Sequence, residues 1–371
     1  MSALKEKIAR RIRDEGPISF ETFMDMALYE PGLGYYAKDS TEIGRSADFY
    51  TSSHLHRAFG AMLGRQAEEM WELTGRPARF DIVEMGAGMG YLAKDLLDYL
   101  QDRPLGASLV YTIVELNPSV RRRQQDILGA HSVRVRWLRG LESLEPVTGC
   151  FLSNELPDAF PVHIVVREGD LGEVFVTVDE QGELAEVVKP CSPGVIDYLN
   201  AFAQDLPEGY RTEVNLRMRD WIRSVSGRLD RGFIITIDYG YPAWEYYSTE
   251  RNRGTLLCYY RHKAGENPYE HIGDQDMTAH VNFSALHRWG EESGLRTIGF
   301  SPQGSYLIAL GIDELITEWY GTAPDAFEVS PIKNLILPQG MGESHKVMVQ
   351  SKGMTDVKLR GFSLRNQVRM L

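Results

Sequence analysis

The sequence predicts a doubly wound α/β fold: a mostly parallel sheet with helices on both faces, an N-terminal helical segment and an inserted α+β region. Three observations carry this. From Arg79 onward, short apolar strands alternate with amphipathic helices. A glycine turn, Gly86-Ala87-Gly88-Met89-Gly90, joins the first of those strands to the first helix. The alternation then breaks into consecutive strands and resumes at GFIITIDYG, as expected of an insertion between two core strands.

Taken in order, ALKEKIARRIRDEG places Leu4, Ile8 and Ile12 at helical spacing and ends at Gly16-Pro17. SFETFMDMALYEP reads as a second helix with Ser19 as its N-cap; Thr22 follows three residues on, so the capping box is incomplete. GLGYYAKDSTEIGRSADFYTSS reads as a loop, and HRAFGAMLGRQAEEMWEL as a helix. In the core, RFDIVEMG, SLVYTIVEL, VRVRWL and GCFLSNEL are strands, while GYLAKDLLDYLQD and NPSVRRRQQDILG are helices. PVHIVVRE, GEVFVTVDE and GELAEVVK form an antiparallel meander, followed by helices around GVIDYLNAFAQDL and NLRMRDWIRSVSGRL. SALHRWGEESG is a further helix. The last segment is expected to pair strands at SYLIALGI and HKVMVQSKG with a helix at DELITEWYG. The implied domains are 1–78 (N-terminal segment and covering loop), 79–159 with 231–371 (core), and 160–230 (insertion).

Composition narrows the function classes. The chain has 371 residues, 43% of them hydrophobic and 25% charged, enough for one large domain or two modest ones. A formal charge of −12 argues against a general nucleic-acid binder. The cysteines Cys150, Cys191 and Cys258 make neither a disulfide framework nor a C-x-x-C pair, which suits a reducing compartment. The N-terminus mixes acidic and basic residues without a signal-peptide core, and no apolar run reaches the roughly 18 residues of a membrane span. These features predict a cytoplasmic protein. The histidines and acids show no metal-ligand spacing, so no metal is expected.

The glycine turn narrows the ligand. A dinucleotide fingerprint reads G-x-G-x-x-G, whereas Gly86, Gly88 and Gly90 alternate, and Glu84 stands two residues before them. A carboxylate at such a turn disfavours a pyrophosphate and suits a ligand with cationic groups, such as S-adenosylmethionine with its sulfonium and amine. Glu115, ending the second strand, can accept both hydroxyls of a ribose. In open α/β sheets ligands lie beyond the carboxyl ends of the strands, where Asn154, Glu155 and Asp158 follow one strand and Asp238 ends another. Carboxylates there could orient a guanidinium acceptor. GTLLCYYRHKAGENPYEHIGDQDMTAHVNFSAL, polar and histidine-bearing, reads as a loop over the site, with His280 as a candidate base.

These stretches in order resemble the MidA-like family of S-adenosylmethionine-dependent methyltransferases: FMDMALYEPGLGYY, DFYTS, VEMGAGMG, VELNP, SNELPDAFPVHIV, IDYGYP, GTLLCYYRHK and DQDMTAHVNFSAL. The resemblance spans nearly the whole chain. It implies a class I methyltransferase fold of Rossmann-like type. It also implies a cofactor site at Gly86, Gly88, Glu115 and Asn154, with Glu84 beside it and Tyr50, Thr51 and Ser52 folded over it. The family's mitochondrial member is a complex I assembly factor that methylates an arginine, so a protein substrate, even a respiratory-complex subunit, is implied here. A small-molecule acceptor, or a cofactor-binding assembly chaperone with little turnover, would fit the same motifs. Departures fall at Ala47, Ser53 and His54, at Leu156 and Pro157, and in MGESHKVM, and bear on the acceptor more than on the cofactor. Oligomeric state is not legible.

Overall fold

The computed structural model describes residues 2–38, 56–203, 205–322 and 325–371. The chain divides into two compact units, one of Met1–Phe49, Pro157–Asp220 and Tyr241–Leu286, the other of Tyr50–Leu156, Trp221–Gly240 and His287–Leu371. These bounds differ from the expected ones. The helix Ala58–Leu73 belongs with the main sheet because its apolar face joins the core that lies on that sheet. Residues 241–286, expected in the core, belong instead with the meander.

The larger unit is built on strands β1 (Phe80–Met85), β2 (Leu109–Val114), β3 (Val135–Leu138), β4 (Val147–Asn154), β5 (Leu229–Tyr241), β6 (Arg296–Pro302) and β7 (His345–Lys352). They lie in the order β6-β7-β5-β4-β1-β2-β3. Strands β5, β4, β1, β2 and β3 are parallel; β7 runs antiparallel to both β5 and β6. β1 and β5 are buried almost along their whole length, with Phe80, Ile82, Val83, Phe233, Ile234 and Ile235 in the core, as a sheet covered on both sides requires. The strand order reverses between β1 and β4, and a crevice at that switch point is where such folds bind ligands. The helices Ala58–Leu73 and Tyr91–Leu100 pack closely: a Cβ added at Gly60 would lie 2.6 Å from Asp95 Cβ, and one at Gly64 2.7 Å from Tyr99 Cδ1.

One expectation in this unit fails. SYLIALGI is not a strand; Gln303–Ala309 is helical, with Tyr306, Leu307 and Leu310 buried and Ile308 exposed. A short continuous apolar run carries no period, and here the three- and four-residue spacing of its buried positions decides.

In the smaller unit the meander forms as expected: His163–Glu168, Asp170–Val178 and Leu184–Pro190 pair antiparallel. Arg211–Val214 extends it beside His163–Glu168, and Ile18–Ser19 pairs with Asp170–Val178. The helices Ala3–Glu15 and Phe20–Tyr29 pack Leu4, Ile8, Ile12, Phe20 and Phe23 into one core with Ile164, Val174 and Val176. Ser19 caps the second helix by accepting the Thr22 N–H at 3.1 Å. The segment expected as an open loop is partly a small sheet, with Leu257–Tyr260 between Lys263–Gly265 and Asp276–Thr278. Its polar residues are consumed by this local structure, as where Gln275 Nε2 donates to the Asn267 and Pro268 carbonyls.

Candidate functional site

The glycine turn sits at the carboxyl end of β1. Gly86, Gly88 and Gly90 all have positive φ, 74°, 51° and 86°, a conformation only glycine adopts without strain. The Gly90 N–H closes the turn on the Ala87 carbonyl at 2.8 Å, and the helix Tyr91–Leu100 begins there. A Cβ at Gly88 would meet nothing within 4 Å, so the turn presents bare backbone to the crevice.

Glu115 follows β2. Its Oε1 accepts the Asn117 N–H at 2.7 Å, and its Oε2 accepts from Gln124 Nε2 at 3.1 Å. Partial burial pushes its carboxyl above the usual range. Gln124 is the residue that sequence reasoning missed. It also donates to the Gly88 carbonyl at 2.8 Å, while its Oε1 accepts from Trp137 Nε1 at 3.0 Å. One buried amide thus ties the glycine turn, Glu115 and β3 together. Its legible signal was a position seven residues after the helix cap Asn117, on the inward face of an otherwise charged helix. Leu116, beside Glu115, is 66% exposed, an unusual position for a large apolar side chain next to a polar crevice.

Glu84 departs from expectation. It lies within β1, below the turn, fully buried, and its Oε2 accepts the Tyr111 hydroxyl at 2.8 Å. Burial pushes its carboxyl up to about 7. It does not stand at the lip of the turn as an exposed carboxylate.

The candidate catalytic residues fall in both units. In the sheet unit, Asn154 ends β4 and pairs in register with Ile237 of β5. Asn154 Nδ2 donates to Glu155 Oε1 at 3.2 Å. Glu155 has φ 50°, left-handed for a non-glycine residue, and its N–H donates to the Ile237 carbonyl at 2.9 Å. Asp238 is wholly buried and accepts the Tyr239 N–H at 2.8 Å.

In the smaller unit, Asp158 is buried, and its carbonyl accepts the Ala279 N–H at 2.9 Å. Nearby, Tyr29 and Tyr36 stack with ring centroids 5.5 Å apart, and the Tyr36 hydroxyl donates to Asp276 Oδ1 at 2.7 Å. Burial, then the charges of Asp276 and Asp158, push the Tyr29 hydroxyl far up. His280 lies in the same unit, its N–H donating to Thr255 Oγ1 at 3.0 Å and its ring 5.4 Å from that of Tyr241. Tyr50, Thr51 and Ser52 lie outside the described residues.

Comparison with known proteins is consistent with this geometry. Residues 62–301 match the sequence family Methyltransf_28, described as S-adenosyl-L-methionine-dependent methyltransferases. A COG1565 superfamily protein from Burkholderia thailandensis, solved bound to S-adenosyl-homocysteine, is 33% identical, with a TM-score of 0.91 over 100% of this chain and 96% of its own. The zebrafish (Danio rerio) protein arginine methyltransferase NDUFAF7, mitochondrial, is 26% identical over 92% of this chain and 85% of its own length. The Homo sapiens protein of that name is 27% identical over 82% and 72%.

The expectation of a cytoplasmic protein is overturned by these relatives, which are named mitochondrial. Scattered free thiols report a reducing environment and do not separate one reducing compartment from another.

The site residues fit the cofactor. A glycine turn with open space above it, a carboxylate with acceptor capacity left and an exposed leucine match a ligand with an amine, a ribose and a flat base. The fold is that of a class I methyltransferase, and the chain belongs to the S-adenosyl-L-methionine-dependent methyltransferase family, an enzyme whose methyl donor is S-adenosylmethionine.

Proposed function

We propose that this enzyme methylates an arginine side chain of a protein, a subunit of a respiratory complex being the favoured target. The observation that carries the reading is Glu155: a buried carboxylate held in a left-handed conformation at the carboxyl end of the sheet, beside the cofactor crevice. The relatives named protein arginine methyltransferases support the same acceptor class.

S-adenosylmethionine supplies an electrophilic methyl group on its sulfonium. Every other task falls to the chain. The backbone of Gly86 and Gly88 lets the cofactor approach closely, Glu115 accepts hydrogen bonds from ribose hydroxyls, and Glu84 supports the turn from below through Tyr111. A guanidinium stays protonated up to pH values above about 12, so its attacking nitrogen must be oriented and its charge matched. Glu155 takes that role, with Asn154 and Asp238 holding the strand ends. Tyr29, Tyr36, Asp158 and Asp276 form an aromatic and acidic cluster in the smaller unit that suits a cationic side chain. His280, in the smaller unit, is assigned as a base.

The test is incubation with labelled S-adenosylmethionine and an extract of cells lacking the protein, with mass spectrometry of the labelled product. Methylarginine in a protein is expected with the wild type, and a fall of about a hundredfold with Glu155→Gln. Label confined to small molecules, or no label with full function in cells, would replace this reading with a small-molecule enzyme or an assembly chaperone.

A further inference from the structure

His345 opens β7 at the carboxyl end of the parallel strands, directly across from Tyr239 of β5, with the two rings edge-on at 5.5 Å. It is buried, and its Nε2 has no hydrogen-bond partner among the described residues. The Ser344 hydroxyl lies 3.1 Å from Nδ1. The Glu155 carboxylate facing Nε2 favours the tautomer with the ring proton on that nitrogen, Nδ1 then accepting from the Ser344 hydroxyl. Nε2 lies 3.7 Å from Glu155 Oε1, beyond hydrogen-bond length, and both side chains are only 5% exposed. The same oxygen accepts from Asn154 Nδ2, and Asn154 Oδ1 is also buried with no hydrogen bond among the described residues. Glu155 makes these contacts from a left-handed backbone, φ 50°. Two buried polar groups without full satisfaction, converging on one strained carboxylate, form an arrangement that packing alone does not require.

We infer that His345 is a positioning residue for methyl transfer: with Asn154 it fixes the carboxylate of Glu155 and so sets how that carboxylate meets the positive charge of the acceptor. The inference rests on the proposed role of Glu155. His345 acts through Glu155 and touches neither cofactor nor acceptor. Leucine at this position keeps the volume and removes the polar tip, while glutamine keeps an N–H donor of similar reach.

The experiment compares wild type, His345→Leu, His345→Gln and Glu155→Gln. Turnover is followed with labelled S-adenosylmethionine and the deficient extract, S-adenosyl-homocysteine affinity by calorimetry, and folding by thermal midpoint. His345→Leu is expected to lower kcat about ten- to hundredfold, with KM for S-adenosylmethionine and the affinity for S-adenosyl-homocysteine within about twofold of wild type. His345→Gln is expected to recover most of the loss, and it carries the test should the leucine variant not fold. Unchanged kcat in His345→Leu, a loss that tracks cofactor affinity, or no recovery with glutamine would overturn the inference. Glu155→Gln separates the two failures. If it is inactive while His345→Leu is active, only the role of His345 falls; if it is as active as wild type, the proposed role of Glu155 falls and takes this inference with it.

Discussion

Glu84 shows how a correct motif can carry an incomplete reason. From the sequence, its charge is the feature that makes a pyrophosphate unattractive at the turn. In the fold it is buried against Tyr111 and its carboxyl titrates near 7, so at neutral pH it is only partly ionised. The alternate glycine spacing therefore carries more of the discrimination. The shift also has a consequence for stability. The folded value lies above the unfolded one of about 4.3, so the native state keeps a proton that the unfolded chain releases across that interval. Glu84's contribution to stability is largest below about pH 4 and falls by up to about 3 kcal/mol as pH rises through 7. Glu84→Gln should flatten that dependence, as measured by urea unfolding at pH 5 and pH 8. At Glu115 the carboxylate keeps lone pairs beyond those used by Asn117 and Gln124. Glu115→Ala is expected to weaken S-adenosyl-homocysteine binding about ten- to a hundredfold by calorimetry.

At the scale of elements, the helix Pro118–Ile127 does more than cover the sheet. Through Gln124 it is stitched to the glycine turn and to Trp137 of β3. Gln124→Leu leaves the indole N–H and one oxygen of Glu115 without their partner. It should cost about 1–3 kcal/mol in denaturant unfolding and weaken cofactor binding as well, whereas a purely structural helix would show only the first effect. The helix pair Ala58–Leu73 and Tyr91–Leu100 depends on Gly60, where any side chain meets the Asp95 side chain and Leu96 backbone. Gly60→Val is expected to destabilise the protein by about 1–3 kcal/mol, read as a lowered urea midpoint. The elements at 303–309 and 257–278 were misread for one reason: short runs, apolar in one case and polar in the other, lack a period long enough to distinguish helix, strand and loop.

For the molecule as a whole, the net charge of −12 gives a long-range attraction to a basic target. If the acceptor is an arginine in a basic segment, KM for a peptide bearing it should rise several-fold between about 0.05 and 0.5 M salt while KM for the cofactor, with a single net positive charge, changes less, because the Debye length shrinks roughly threefold over that range. Steady-state kinetics at the two salt concentrations would decide it.

The sequence by itself determined the alternation of strands and helices, the glycine turn and the acid ending the second strand, because each is a local pattern: hydrophobic period, turn chemistry and position at a strand end. It also marked Asn154, Glu155 and Asp238 as polar groups at strand ends. Only the tertiary structure decided which groups meet. Gln124 reaches Gly88 across 36 positions, and His345 reaches Glu155 across 190 positions, from a strand two places away in the sheet. Glu84 is fully buried only once the strands and helices close over it, and that burial raises its pKa. Contacts of this kind leave no period in the sequence, because they follow from strand order and register, which the chain fixes only when it folds.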